Sequence, residues 1–347
     1  MREKWIVETK KGDFNGLSAK LKVSPLAVRC LMNRGVESEQ EMREFLYGTL
    51  DDLHDPFLMK GMDEAVREIV KAKEQGRKVA IASDFDCDGI FSAYILWKGF
   101  QKIGLDSEIF TPDRVKEGYG LNRRIVDEAL ASGCDFLVTC DNGIAANEEV
   151  DYAKKLGMTV IVTDHHEVQE QMPNADAILD PKRDDETYPF RGLCGAGVAF
   201  KLICALYDAQ QVPAEAKDKL LEYAGIATVA DVMELQGENR ILVKYGLKAL
   251  SHTKNIGLRA LLKVQGLDDK EITAGHIGFI LGPCFNAAGR IATVATSREG
   301  DVPQGIYFSL WSWDISLSLN MTYFFLHVIL NDSEESHDTR EEYILRT

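Results

Sequence analysis

Short apolar runs alternate with amphipathic stretches between residues 78 and 235 of this 347-residue chain. Four of the runs have the length of a buried strand: KVAIAS, SEIFTP, DFLVTC and TVIVT. The stretches between them, such as NRRIVDEALASG, carry apolar residues at helical spacing. Strands that alternate with helices form βαβ units around a parallel sheet. The chain is therefore predicted to be an α/β protein with a mainly parallel sheet flanked by helices.

The rest of the chain differs in character from this region, so four segments are expected. Residues 1–75 are predicted to be a helical N-terminal segment, and residues 76–235 the α/β domain. Residues 236–295 read as a helical connector after the core. Residues 296–347 form an atypical tail, which is first apolar and then polar and expected to be disordered.

The apolar part of the tail, at 305–330, is long enough to span a bilayer. Asp314, Asn320 and His327 lie within it and weaken that interpretation. An unrelated or out-of-frame tail after a truncation is therefore preferred to a membrane anchor. No secretory signal is predicted either, because no long apolar stretch follows the charged N-terminus.

Charge and cysteine content limit the function classes further. The formal net charge of −15 argues against a protein that coats nucleic acid by charge alone. It still allows a nucleic-acid enzyme with a local basic groove. The seven cysteines are odd in number and none has CxxC spacing, which favours free thiols in a reducing, cytoplasmic compartment.

Acidic and imidazole residues follow the predicted strands at the point where each strand ends. DFDCDG follows the first run, and Asp141 follows DFLVTC. Asp164, His165 and His166 follow TVIVT. A later segment, YAGIATVA, is read as a fourth such strand, leading to Asp231. Functional groups of an open α/β sheet gather beyond the carboxyl ends of its strands, so these side chains are expected to converge.

Such convergence would place about five carboxylates in one pocket, where like charges cannot all stay ionised without compensation. Divalent cations supply that compensation. Oxygen ligands with one or two imidazoles suit Mn²⁺ or Mg²⁺, and the absence of cysteines at ligand spacing disfavours structural zinc. Two metals are predicted, a pair that suits phosphoryl hydrolysis because it activates a water and neutralises charge on the phosphate.

The ordered motifs DFDCDG, VTCDNGI, VTDHHE, LCGAGVAFKL and ATVADVMELQGENR resemble those of the DHH phosphoesterase family. PDRVKEGYGLN (112–122) and LGPCFNAAGR (281–290) resemble its single-strand-specific 5′-to-3′ DNA exonucleases. The resemblance covers roughly residues 1–292. It implies a parallel α/β domain joined to a smaller DHHA1 domain, towards which 236–295 would lead and which the tail does not resemble.

The resemblance also implies a set of site residues. The expected ligands of two Mn²⁺ or Mg²⁺ ions are Asp86, Asp88, Asp141, His165 and Asp231. Asp141 would bridge both ions, and Asp84 would contact the first metal directly or through water. His166 would act beside the scissile phosphate as a donor or acid, or alternatively would orient a ligand.

Two segments are expected to meet the substrate. Arg114 is predicted to clamp a phosphate and Tyr119 to stack on a base. Asn286 and Arg290 surround small residues that let backbone approach a phosphodiester chain, with Arg290 as a phosphate contact.

The predicted function is metal-dependent hydrolysis of single-stranded DNA from the 5′ end, in DNA repair and recombination. A helicase and a single-strand-binding protein are the expected protein partners, and no membrane is. One alternative is a DHH phosphodiesterase of short oligonucleotides or cyclic dinucleotides. Others are an inactive truncated fragment and a non-catalytic scaffold. A dinucleotide-cofactor protein is poorly supported, because acidic residues after the first strand would repel a pyrophosphate.

Overall fold

A computed structural model describes residues 10–113 and 116–291, without the side chains of 288–291. Its centre is a five-stranded, wholly parallel sheet in the order β2-β1-β3-β4-β5. The strands are β1 (Lys78–Ser83), β2 (Ser107–Phe110), β3 (Cys134–Cys140), β4 (Thr159–Thr163) and β5 (Ala177–Leu179). The predicted α/β fold is therefore confirmed.

Helices precede, connect and follow the strands. Those before the sheet are α1 (Phe14–Leu21), α2 (Pro25–Asn33), α3 (Glu39–Tyr47) and α4 (Met62–Glu74). The crossovers between strands are α5 (Cys87–Ile103), α6 (Arg123–Ala131) and α7 (Asn147–Lys155). The first helices after the sheet are α8 (Gly195–Ala209), α9 (Glu215–Asp218), α10 (Leu221–Ala230) and α11 (Gly237–Leu250). The last are α12 (Ile256–Val264), α13 (Ala274–His276) and, after a π-helical turn at Ile277–Leu281, α14 (Gly282–Ile291).

Both faces of the sheet are covered, which explains why its strands read as continuous apolar runs. Val79 and Ile81 of β1 face a core formed with α4, α5, α8 and α10. Ala80 and Ala82, which alternate with them, face a second core beneath α6 and α7.

The N-terminal helices α1 to α3 enclose a small core of their own, which includes Leu21, Val28 and Met42. Helix α4 also lies within the predicted N-terminal segment, yet its Ile69 is buried in the large core beside the sheet. The large core thus begins before residue 76. The other expected segment boundaries, after residues 235 and 295, remain predictions.

The segment YAGIATVA is helical and forms most of α10, so its interpretation as a strand is wrong. A short apolar run does not distinguish a buried strand from a buried helix. Tertiary packing favours the helix here, because Gly225 of α10 lies against Gly246 of α11, where an added Cβ would be 3.0 Å from the Gly246 Cα. Strand β5 was not predicted.

The tail at 296–347, including its apolar run, lies outside the described residues. Within the described part of the chain, no helix combines the length and the apolar character needed to cross a bilayer.

Candidate metal centre

The predicted site residues gather where the direction of the sheet reverses. The chain leaves β1 for β2 on one side, whereas β3 lies on the other side of β1. Such a switch point opens a crevice beyond the carboxyl ends of the two strands. Asp84 directly follows β1 and Asp141 directly follows β3. The sheet topology therefore accounts for the convergence expected from the sequence.

The first acidic motif turns from β1 into helix α5. Asp86 is the N-cap, and its Oδ1 accepts the Gly89 N–H at 3.0 Å. Cys87 begins the helix and is buried in the large core. Asp84 is buried, and its Oδ1 accepts the N–H of Phe85 at 2.7 Å.

Asp88 lies in the first turn of α5 and is held by the start of another helix. Its two carboxylate oxygens accept the N–H groups of Gly195 and Ala196 at 2.7 and 2.8 Å. These groups open α8, whose positive end stabilises a carboxylate. The first residues of the segment GAGVAF therefore hold a predicted ligand through their backbone N–H groups.

His165 is the centre of the acidic cluster. Its Nε2 lies 3.0 Å from Asp141 Oδ1, 3.5 Å from Asp88 Oδ2 and 3.8 Å from Asp231 Oδ2. Asp231 arrives at the end of helix α10, rather than from a strand. Four of the five predicted ligands thus meet around one imidazole nitrogen. Within the described residues the buried Nδ1 of His165 has no hydrogen-bond partner.

The electrostatics of the cluster fit a divalent cation. Burial and the neighbouring charges of Asp88 and Asp86 raise the pKa of Asp141 well above its ordinary value. Burial, then the same two carboxylates, raises the pKa of Asp231 to about 7. Burial lowers the pKa of His165, so its imidazole is neutral and able to donate a lone pair. Carboxylates with a neutral imidazole form a donor set for Mn²⁺ or Mg²⁺.

His166 lies beside this cluster in a different environment. Its Nδ1 is 2.7 Å from Asp164 Oδ1, and more than half of its side chain is exposed. The hydrogen bond to Asp164 raises the pKa of His166. Burial opposes ionisation of Asp164, but His166 and the N–H of Ile144 outweigh it, so the pKa of Asp164 is lowered. A buried carboxylate therefore orients the imidazole and favours its protonated form.

Two of the predicted substrate residues can be placed. Tyr119 is 66% exposed, and its ring lies 4.8 Å from the buried Phe85 ring, beside the first acidic motif. Asn286 instead uses its side-chain oxygen within the protein, because Oδ1 accepts the N–H of Cys87 at 2.8 Å. Arg114 and the side chain of Arg290 lie outside the described residues.

The other basic residues near Tyr119 are engaged within the protein. Glu117 pairs with Arg124 and also accepts the N–H of Asp113 at 2.8 Å. The guanidinium of Arg124 lowers the pKa of Glu117 to about 2. Lys116 pairs with Asp113 at 3.4 Å. These contacts shape the segment that presents Tyr119.

Three residues of the site received no role from the sequence. Asp164 was expected at the site without a role of its own, and the backbone of Gly195 carried no sequence signal for holding Asp88. Asp180 follows β5, is buried, and accepts the Lys182 N–H at 2.8 Å. Burial raises the pKa of Asp180 to about 7. An acidic residue after the short run AIL was the one available signal.

Comparison with known proteins agrees with this geometry. The DHH family N-terminal domain matches residues 78–230, the part of the chain that contains the sheet and most of the cluster. Over this part of its length the chain is similar to the DHH family.

Its relatives include proteins named single-stranded-DNA-specific exonuclease RecJ. That of Bacillus subtilis is 39% identical over 289 residues, which are 83% of this chain and 36% of the relative. That of Escherichia coli is 36% identical over 278 residues, or 77% of this chain and 48% of the relative. The chain therefore spans about a third to a half of the curated relatives it matches.

Solved structures of RecJ also resemble this chain. An exonuclease RecJ bound to manganese has a TM-score of 0.63 and 29% identity, over 83% of this chain and 69% of that chain. RecJ from Thermus thermophilus in complex with Mn²⁺ has a TM-score of 0.69 and 26% identity, over 96% and 43% respectively.

Proposed function

We propose that this protein is a metal-dependent phosphodiesterase that hydrolyses single-stranded DNA from the 5′ end. The observation that carries the proposal is the position of His165, whose Nε2 lies within 3.8 Å of carboxylate oxygens of Asp88, Asp141 and Asp231. The names of its relatives support the substrate and reaction. Two Mn²⁺ or Mg²⁺ ions are proposed as the cofactors, supported by the manganese of the similar solved structures.

Each side chain has a proposed part in holding these ions. The proposed ligands are Asp86, Asp88, Asp141, His165 and Asp231. Asp88 is presented by two backbone N–H groups, and Asp86 by the cap of α5. When bound, a pair of divalent ions supplies an activated water and neutralises charge on the phosphate. Asp84 is buried beside the ligands, and its charge adds to the field that favours cations.

His166 is proposed to donate a hydrogen bond or a proton near the scissile phosphate. Asp164 is hydrogen-bonded to Nδ1 of His166, so this contact does not use Nε2. More than half of the His166 side chain is exposed, which leaves it accessible to a substrate. The raised pKa keeps a larger share of His166 protonated at neutral pH. A general acid needs both an available proton and a fixed orientation. Asp164 is the positioning residue in this arrangement.

The DNA is proposed to approach over the segment that contains Tyr119. A base can stack on this exposed ring because Phe85 supports it from behind. Arg114 and Arg290 are proposed phosphate contacts, and Asn286 is proposed to act through the start of α5.

The division of the chain into an N-terminal helical segment, a catalytic domain and a connector is part of the same proposal.

The biological role, the cellular location and the protein partners are proposed from the names of the relatives and from the chemistry of the metal centre. A nuclease that needs free 5′ ends of single strands fits DNA repair and recombination in the cytoplasm. It would work with a helicase that separates strands and a protein that binds them.

The decisive experiment measures release of nucleotides from 5′-labelled single-stranded DNA by the full chain, with and without Mn²⁺. Asp141→Ala removes the carboxylate nearest to His165, and Asp151→Ala on the exposed face of α7 is the matched control. We expect Mn²⁺-dependent release by the wild type and the control alone. Activity that survives Asp141→Ala, or no release by a folded wild type that binds Mn²⁺, contradicts the proposal.

A parallel reaction with a dinucleotide tests the alternative substrate class. Faster cleavage of the dinucleotide than of the long strand would assign the protein to short oligonucleotides.

A further inference from the structure

A large cavity lies among the helices, away from the metal centre. Its volume is about 1470 Å³, and it is lined by α5, α9, α10, α11 and the segment between α11 and α12. Helix α5 presents Asp88 at its start and Lys102 at its end. The rise of 1.5 Å per residue puts these two positions roughly 20 Å apart along the helix. The cavity is therefore separate from the proposed catalytic site.

Lysines from four different parts of the chain line this cavity. They are Lys98, Lys102, Lys219, Lys248 and Lys254. All except Lys98 are exposed. Lys98 is half-buried, with its ammonium 5.0 Å from the centre of the Trp97 ring. The concentration is notable in a chain whose formal net charge is −15. Ammonium groups from separate elements around one cavity favour an anion there.

The acidic side chains of the lining do not cancel this charge. Glu222 is buried and hydrogen-bonded to the side chains of Thr253 and Tyr223, and burial raises its pKa. The exposed acids, Glu215 and Asp218, both belong to the short helix α9. The exposed negative charge of the lining thus comes from α9, where Lys219 directly follows Asp218, whereas the other four lysines lie on α5, α11 and the segment after α11.

Aromatic rings complete the lining. Tyr94, Tyr207 and Tyr223 are buried in the floor, and Tyr245 is half-buried in the wall. Of these four rings, only that of the half-buried Tyr245 has a partly exposed face on which a base can stack. The volume exceeds that of a typical small-molecule site, so it accommodates a base, a sugar and several phosphates.

From this combination we infer that the cavity binds a phosphate-bearing ligand of nucleotide type, either a free nucleotide or a nucleotide unit of a single strand. Lysine ammonium groups bind phosphates as point charges. Tyr245 and the exposed His252 supply contacts to the base or sugar. This site is additional to the metal centre and independent of the proposed nuclease activity.

The test is equilibrium binding to the full chain in EDTA, which removes the divalent ions that could hold a nucleotide at the metal centre. The probes are ATP, by calorimetry, and a fluorescent ten-residue oligo-dT, by polarisation. Lys102→Glu combined with Lys254→Glu reverses two exposed charges of the cavity. Lys155→Glu combined with Lys270→Glu makes the same charge change at exposed lysines outside it.

We expect saturable binding of at least one probe, weakened tenfold or more in the cavity variant and less than threefold in the control. Binding of ATP alone assigns a free nucleotide, and binding of oligo-dT alone assigns a strand. Binding of neither probe at millimolar ATP and micromolar oligo-dT, or equal weakening in the two variants, overturns the inference. Nuclease activity does not enter the readout, so failure of the proposed function and failure of this site are distinguishable.

Discussion

Asn286 accepts a hydrogen bond from the N–H of Cys87 at 2.8 Å, and so ties α14 to the first turn of α5. The two residues are 199 positions apart in the chain. Because that turn also carries Asp86 and Asp88, the contact links the end of the described chain to two proposed metal ligands. Asn286 therefore holds the turn that carries these two aspartates. This positioning role differs from the direct substrate contact expected from the sequence.

Replacing Asn286 by Ala should therefore affect stability and metal binding together. Loss of the acceptor leaves the Cys87 N–H without its partner, which costs about 1 kcal/mol in unfolding free energy. We expect a lower melting temperature and weaker Mn²⁺ binding by calorimetry. Asn286→Asp keeps an acceptor but adds a carboxylate beside Asp86 and Asp88, so it should retain more of the stability with Mn²⁺ than in EDTA. An Ala variant with unchanged melting and Mn²⁺ affinity would show that the contact is dispensable.

The metal-free protein should lose stability as the pH rises. Asp231 has a folded pKa of about 7, above the ordinary value of 3.8, and the pKa of Asp141 is also raised. The folded state then binds more protons than the unfolded state, so unfolding free energy falls between about pH 4 and pH 7. Urea titrations in EDTA across this range measure the slope.

Asp141→Asn should reduce that slope, because a neutral side chain replaces a crowded carboxylate. The variant should melt at a higher temperature than the wild type in EDTA at pH 8. It should also lose the stabilisation by Mn²⁺ that the wild type gains through linkage. A variant that melts below the wild type and still responds to Mn²⁺ would argue against like-charge repulsion at this site.

His166 should titrate above its ordinary pKa of 6.5, because Asp164 favours the protonated ring. Asp164→Asn removes that charge and should shift the midpoint to lower pH, as measured by NMR of the His166 ring in EDTA. If His166 donates a proton in the reaction, activity falls as pH rises through this pKa. The high-pH limb of the activity profile should then move to lower pH in Asp164→Asn. An unmoved limb would assign His166 a role other than acid.

Gly195 and Gly197 give a matched pair of substitutions at the start of α8. A Cβ on Gly195 would lie 2.7 Å from Asp141 Cβ and 2.9 Å from Asp141 Cα. A Cβ on Gly197 meets only the Leu193 side chain, at 3.2 Å or more. We expect Gly195→Ala to weaken Mn²⁺ binding at least tenfold and Gly197→Ala to change it little. Equal effects of the two would indicate a general helix effect.

Tyr119→Ala should raise the KM for single-stranded DNA with little change in kcat. Base stacking on an aromatic side chain contributes about 1–3 kcal/mol, which corresponds to about 5- to 150-fold in affinity. Tyr119→Phe keeps the ring and should behave like the wild type. A normal KM in the Ala variant would place the DNA elsewhere.

The sheet was predictable because its strands are buried on both faces and end in turn residues. KVAIAS and TVIVT coincide with β1 and β4. Strand β5 spans only three residues, too few to distinguish from a loop. The YAGIATVA segment is apolar throughout, and only its approach to α11 determines that it is a helix. Asp231 therefore lies near His165, as the expected convergence requires, but at the end of a helix rather than of the predicted strand.

The contacts that organise the site could not be inferred in the same way. The N–H of Gly195 donates to Asp88 across 107 positions. Neither the residue type of Gly195 nor the local sequence pattern predicts this pairing, because the group that Gly195 contributes is its backbone N–H. Local chemistry did predict which types of side chain gather here, since carboxylates and imidazoles keep their character wherever the fold carries them.

The dependence of Asp88 on the start of α8 has a consequence for how the protein is made. Synthesis proceeds from the N-terminus, and domains form as their segments emerge. The loop after β1 therefore leaves the ribosome before the N–H groups of Gly195 and Ala196 exist to hold Asp88. Asp231 emerges later still. In a nascent chain that ends before α8, Asp88 lacks these two hydrogen bonds. Binding of the metal ion therefore belongs to the last stage of folding.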